Sequence, residues 1–220
     1  MLKARRILDT RKKQIEDNLL GLVAQVKDAI QKSAVCLSGG EEALCRIVIE
    51  RDSQVNERRR LIEHDCFTVI ALHQPVSHDL REIIAATRIA GELERIGDYA
   101  SDNASIVTQM NGADVTELGI ENVLEMSSLS TRMLDEVFAA YLQRDTDKAR
   151  KTAKMDDEID AEQAKLIEKL FARMQSTPDQ VPDASRMLWI SHNLERCGDR
   201  VTNIAEQVVF MLEAEVVELD

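Results

Sequence analysis

The 220-residue chain has eight glycines, three prolines, one tryptophan, two tyrosines and four phenylalanines. Sandwiches and barrels need frequent turns and favour aromatic and β-branched strands, so this scarcity excludes a β-rich fold and leaves long helices. No apolar run approaches the roughly 20 residues that span a bilayer. No GxxxxGK[ST], GxGxxG or GxSxG motif occurs, so nucleotide, dinucleotide and esterase chemistry have no support. HExxH and paired-cysteine zinc signatures are missing as well. Positive charge is in short supply: 28 Lys and Arg face 40 Asp and Glu, a net charge of −12. Such a surface repels nucleic acid and anionic lipid. The four cysteines (Cys36, Cys45, Cys66, Cys197) form no CxxC and follow no apolar leader, so reduced thiols in a cytoplasm are expected.

What is present is core and charge. Apolar residues make up 44% and charged residues 31%, enough for one or two helical domains. The few breakers divide the chain into six amphipathic segments. The first runs from about Ile7 to Leu37 and ends at Gly39-Gly40. The second starts near Glu41 and stops at Gln74-Pro75, because a residue before proline avoids the helical region. The third spans about His78 to Met110, before Asn111-Gly112. A fourth, from near Asp114-Val115 to Arg144-Asp145, and a fifth, to about Met174, follow. Thr177-Pro178 and Pro182 break the chain again, and a sixth segment runs from Asp183 almost to the end.

The third and sixth segments carry matching seams. Met187, Ile190, Leu194, Cys197, Val201, Ile204, Val208 and Met211 are spaced alternately three and four apart. Ala86, Ile89, Leu93, Ile96, Ala100, Asn103, Val107 and Met110 repeat that spacing. Seven-residue seams of this kind mark bundles with nearly parallel or antiparallel axes. Gly97 and Gly198 flank the seams, where a missing side chain lets two helices approach closely; Gly91 lies inside the third helix too.

The two seams also align in sequence. Residues 89–104 and 190–205 agree at seven of sixteen positions, and both hold Leu-Glu-Arg-x-Gly-Asp. A second correspondence, in the same order, pairs residues 51–56 with 155–160. The chain therefore reads as a duplication: two tandem three-helix bundles, six long helices in all, with residues 1–113 as the first repeat and 114–220 as the second.

Both repeats place acids four residues apart: Glu94/Asp98, Glu195/Asp199 and Asp156/Asp160, with Asp52/Asn56 as a weakened fourth pair. Like charges one helical turn apart repel by a few tenths of a kcal/mol. Asp102 extends the first stripe, and Asn203 takes the matching place in the second. Arg95 and Arg196 are the only cations near them along these helices. At 100° per residue, Glu94, Asp98 and Asp102 lie roughly 130–170° from the middle of their own seam, outside the bundle core. The spacing alone fits a solvated acidic face. It also fits a cluster of hard oxygen donors for Mg²⁺, Mn²⁺, Ca²⁺ or iron.

At these residues the sequence resembles the PhoU family of phosphate-uptake regulators. The first repeat carries the likeness in residues 73–81 (His-Gln-Pro-Val-Ser-His-Asp-Leu-Arg) and 92–98 (Glu-Leu-Glu-Arg-Ile-Gly-Asp). The second carries it in residues 193–199 and Asn203-Ile204-Ala205-Glu206, with Asp52 and Asp156 opening a further pair of matching blocks. The second repeat has Asp179-Gln180-Val181-Pro182-Asp183 where the first has Gln-Pro-Val. The resemblance implies two three-helix bundles that bind metal clusters at the surface through Asp52, Asn56, Glu94, Asp98, Asp156, Asp160, Glu195 and Asp199, with Asp102 and Asn203 as extensions. Divalent or iron-type ions (Fe, Zn, Mn or Mg), one or several per site, are the expected cofactors, in both repeats and more tightly in the second.

The same resemblance implies a non-enzymatic negative regulator, acting when phosphate is plentiful. It would link the ATPase of a phosphate ABC transporter to a phosphate-sensing histidine kinase. A cytoplasmic homodimer is expected, with no nucleic acid bound and the membrane reached only through partners. The alternatives are a metal-storage or metal-dependent hydrolytic bundle, and a purely structural adaptor. None of the four histidines has a nucleophile at a recognisable spacing, and His192, three residues before Glu195, is the best placed as a peripheral ligand. Cys197 and the seam methionines read as packing. Trp189 fits either the core edge or a partner contact.

Overall fold

The computed structural model describes residues 2–39, 42–110 and 115–219, with side chains from residue 5 onward. Seven α-helices and a short 3₁₀ turn follow one another: α1 (Leu2–Gly39), α2 (Glu42–His73), α3 (Ser77–Val107), α4 (Ile120–Gln143), α5 (Thr146–Ala153), α6 (Asp156–Ser176), the turn at Pro178–Gln180, and α7 (Val181–Glu213). Six of these are long, and no strand occurs among the described residues. None of the described helices is long and apolar enough to cross a membrane. The expected repeat boundary lies outside the described residues.

All eight seam residues of α7 are buried, as are Ala86, Ile89, Leu93, Ile96, Ala100 and Asn103 of α3. One continuous apolar core joins both halves, and α3 and α7 form its most extensive helix pair. They run antiparallel. Arg88 Nη1 donates to Gln207 Oε1 at 3.1 Å, Arg200 Nη1 to Glu92 Oε2 at 3.3 Å, and Asn193 Nδ2 to the buried Asn103 Oδ1 at 2.8 Å. Arg196 stacks 4.6 Å above the Tyr99 ring between them. Around this central pair, α1 and α2 complete one bundle while α4 and α6 complete the other, with α5 against α4 and α7.

Three expectations need correction. The fourth helix starts at Ile120, after Gly119 in a left-handed conformation (φ 83°), not near residue 114 or 115. The fifth segment is broken at Lys154-Met155 into α5 and α6. The break has an electrostatic logic: α5 ends in Arg150 and Lys151, and α6 begins with Asp156, Asp157 and Glu158, each set complementing its helix dipole.

The last correction concerns the thiols. Cys36 and Cys45 are joined as a disulfide with Cα atoms 5.7 Å apart; Cys66 and Cys197 are free and buried. The bonded cysteines lie nine positions apart in sequence, but the reversal between α1 and α2 brings their ends side by side. Together with Val48 and Ala104 they form a small separate core.

Candidate functional site

The two glycines of the repeated hexapeptide decide where the acids go. A β-carbon at Gly97 would lie 3.0 Å from Val55 Cγ1 of α2, tighter than ordinary packing. At Gly198 it would collide with Asp156 Oδ1 and lie 3.0 Å from Ile159 Cδ1 of α6. The hydrogen side chains let α2 close on α3 and α6 close on α7. The acids therefore face a neighbouring helix across a narrow groove, rather than open solvent on the far side of the seam.

In the first groove Asp52 faces Glu94, Asp98 and Asp102. Burial raises the Asp52 carboxyl above its ordinary range, and the charges of Asp98, Glu94 and Asp102 raise it further. Asn56 Nδ2 donates to Asp52 Oδ2 at 2.9 Å and opposes that shift. Asp102 is raised by burial and by Asp98. Two cations enter this groove. Arg95 Nη1 lies 3.2 Å from Asp98 Oδ2, exposed on the same helix. Arg59 of α2 places Nε 3.0 Å from Glu94 Oε2 and Nη1 2.7 Å from Glu63 Oε2. Arg59 is the residue that reading along single helices misses, because its partner Glu94 belongs to the next helix.

The second groove gathers Asp156 and Asp160 of α6 with Glu195 and Asp199 of α7. Burial, then Asp160, Asp199, Glu195 and Asp157, push the Asp156 carboxyl up from 3.8 to about 7. Asp160 is raised by burial, then by Asp199 and Asp157. Glu195 is raised by burial and Asp199, against the opposing pull of His192 and Arg196. His192 Nδ1 stands 3.4 Å from Glu195 Oε2, consistent with a peripheral position. Among the described residues no Lys or Arg forms an ion pair with Asp156, Asp160 or Asp199. Asn203 is drawn out of this group: its Nδ2 donates to Glu92 Oε2 at 3.3 Å across the α3–α7 contact.

Matching atoms in the two grooves are left without partners. Asp52 Oδ1 and Asp156 Oδ1 are both buried and accept no hydrogen bond, and Glu195 Oε2 accepts none either. Such oxygens are costly unless something positive meets them. An all-oxygen donor set suits a hard divalent cation. Among the described residues, no three Asp, Glu, His or Cys side chains already converge on one point where an ion would sit.

A further polar cluster lies at the segment from His73 to Arg81. Gln74 and Ser77 both take positive φ, 45° and 53°, in the turn around Pro75. Beyond it, Asp79 accepts from Arg5 at 2.5 Å and from Lys12 at 2.6 Å. The buried Glu82 meets Lys12 of α1, Arg144 at the end of α4 (2.5 Å) and His78 (3.0 Å). Burial would raise Glu82, but hydrogen bonds and charge from Lys12 and Arg144 prevail and hold it below the ordinary range. Arg81 Nε donates to the Met211 carbonyl at 3.3 Å. The segment thus ties α1, α3, α4 and the end of α7 together beside a cleft of about 240 Å³. At the position matching Glu82, Asp183 is likewise a buried acid, paired with Arg186 at 2.7 Å. Trp189 is 61% exposed, with its ring 6.2 Å from that of His192, so it is not a core-edge residue.

A family model described as the PhoU domain matches the chain twice, over residues 19–107 and 123–208. The chain belongs to the PhoU family. Both matches contain the groove acids, and each spans most of one repeat. A phosphate-specific transport system accessory protein PhoU homolog of Clostridium acetobutylicum is 27% identical over 217 residues, covering 98% of this chain and 99% of that protein. One from Rhizobium meliloti is 32% identical over 191 residues, 87% of this chain and 79% of that protein. The crystal structure of PhoU from Pseudomonas aeruginosa superposes with a TM-score of 0.88 at 28% identity, covering 94% of this chain and 99% of that one. The phosphate transport system regulatory protein PhoU from Streptococcus pneumoniae gives 0.86 at 28% identity, covering 96% and 99%.

Proposed function

We propose that this PhoU-family chain is a non-enzymatic accessory regulator of phosphate-specific uptake. It restrains the phosphate-starvation response when phosphate is plentiful, by contacts with the transporter's ATPase and with a phosphate-sensing histidine kinase. It works in the cytoplasm as a homodimer, and its groove acids hold divalent or iron-type metal. One observation carries the regulatory reading: likeness to proteins named as phosphate-transport accessory or regulatory proteins runs through both repeats, at close to full length. The metal reading draws its support from the buried oxygens of Asp156 and Glu195 that accept no hydrogen bond and from the crowding of four carboxylates in the second groove. Binding would draw those side chains together and supply the missing positive charge.

Among the described carboxylates, Asp156 is the one pushed up to about 7, where acid–base work near neutrality is served, and the metal-dependent hydrolytic alternative rests on it. The two readings separate in cells and in the tube. In a host lacking its own homologue, expression of this chain should silence a phosphate-starvation reporter at high phosphate. Affinity capture should retrieve the transporter ATPase and the sensor kinase. A reporter that stays on despite soluble expression would sink the regulatory reading. Phosphatase turnover that appears with Mn²⁺ and vanishes in D156N would establish the hydrolytic one.

A further inference from the structure

The repeats differ at a position one turn beyond the paired acids. The alignment that sets Asp52, Val55 and Asn56 against Asp156, Ile159 and Asp160 sets Arg59 against Gln163, and Glu63 against Ile167. Arg59 is not a surface ornament. Its side chain is 29% exposed, and it bridges Glu94 on α3 to Glu63 on its own helix at 3.0 and 2.7 Å. Glu94 belongs to the repeated Leu-Glu-Arg-x-Gly-Asp and matches Glu195, which has no arginine or lysine ion pair among the described residues. The first groove already contains a fixed positive charge on one of its would-be ligands. A guanidinium cannot step aside by losing its proton at any working pH. Its second contact, with Glu63 one turn along its own helix, anchors it independently of Glu94. The neighbouring Asn56 offers a neutral amide where the second groove has Asp160, with Asp102 restoring the number of acids to four, and that amide donates to Asp52.

We propose that Arg59 is the resident cation of the first acid cluster, so that divalent metal loads the second repeat and not the first. This rests on the metal reading above and sharpens it: the duplication has kept two acid grooves, one given a cation by the protein itself and one left for an ion. The first repeat then holds its shape whatever the metal supply, while the second responds to it.

The test uses the full chain, stripped with chelator and equilibrated with Mn²⁺. Bound metal is counted by mass spectrometry, and the thermal midpoint is followed with and without the ion. Parent protein should bind Mn²⁺, E195A/D199A should lose it, and E94A/D98A should retain it. R59Q should open the first groove and raise bound Mn²⁺ roughly twofold, with a larger metal-dependent rise in midpoint. Q163R, which puts the same cation into the second groove, should abolish binding and the midpoint shift. It carries the test by itself if R59Q does not fold. If the parent binds Mn²⁺ and neither R59Q nor Q163R changes the load, the role of Arg59 is overturned while the metal reading stands. If no variant and no parent protein binds Mn²⁺, both fall together.

Discussion

A carboxylate oxygen of Asp156 occupies the space that a β-carbon at Gly198 would need. The contact explains both residues. Glycine at 198 costs α7 up to about 1 kcal/mol relative to alanine, and in return α6 comes close enough for its first residue to face Glu195 and Asp199. Gly97 plays the same part toward Val55, but its neighbours are apolar. The two grooves are thus related by duplication and unlike in contact.

Comparing glycines tests this directly. Gly91 faces open space, so G91A should stabilise the protein by up to about 1 kcal/mol through helix propensity alone. G198A has the same propensity gain but must displace Asp156 and Ile159, so it should end at least about 1 kcal/mol below G91A. In a D156A background that gap should narrow. Urea unfolding of the four proteins measures it, and equal effects of G91A and G198A would remove the close contact.

Much of this was legible in the sequence, and what was not has identifiable causes. The seam of α7 can be read because each of its members, from Met187 to Met211, repeats on one face of one helix. The acid pairs can be read for the same reason: i and i+4 are neighbours without any knowledge of the fold. Arg59 cannot be read that way, because its partner Glu94 sits on another helix. The pairing of Cys36 with Cys45 depends on how α1 and α2 reverse. The direction of the acids is instructive. A wheel drawn on α3 alone sets Glu94, Asp98 and Asp102 far from the seam, yet it cannot show that α2 covers part of that side. The break between α5 and α6 did leave a signal: Arg150, Lys151 and Lys154 run into Asp156, Asp157 and Glu158, a helix end followed by a helix start.

Glu82 provides a prediction about the joint between the repeats. Its buried carboxylate receives Lys12 from α1 and Arg144 from the end of α4. E82Q would keep the shape but leave Arg144 without its buried anion. Removing one partner of a buried ion cluster costs about 3 kcal/mol, whereas breaking the exposed pair of Arg46 and Glu42 should cost about 0.5 kcal/mol or less. Urea midpoints of E82Q and R46A, with unchanged slopes, would show the difference. A loss for E82Q no larger than that for R46A would mean the cluster does not hold the joint.

The last prediction concerns pH and the charge held in the second groove. In the absence of metal, the Asp156 carboxyl titrates near 7 in the folded protein and near 3.8 when the chain is unfolded. Between those values the folded state binds the extra proton, so stability must fall as pH rises through this window. Asp52, Asp102, Asp160 and Glu195 are raised as well and push the same way. Asp79 and Glu82 act in the opposite sense, since their carboxyls are held below the ordinary range; their stabilisation is lost only as pH drops below that range. Chelated protein should therefore be more stable to urea at pH 5 than at pH 7, and weaken again in stronger acid. D156N removes the largest single contribution and should flatten the slope between pH 5 and 7. Mn²⁺ should flatten it too, by supplying the charge that the proton otherwise provides. Stability that rises from pH 5 to 7 in chelator, or a slope unchanged in D156N, would show that the four carboxylates of the second groove do not crowd one another.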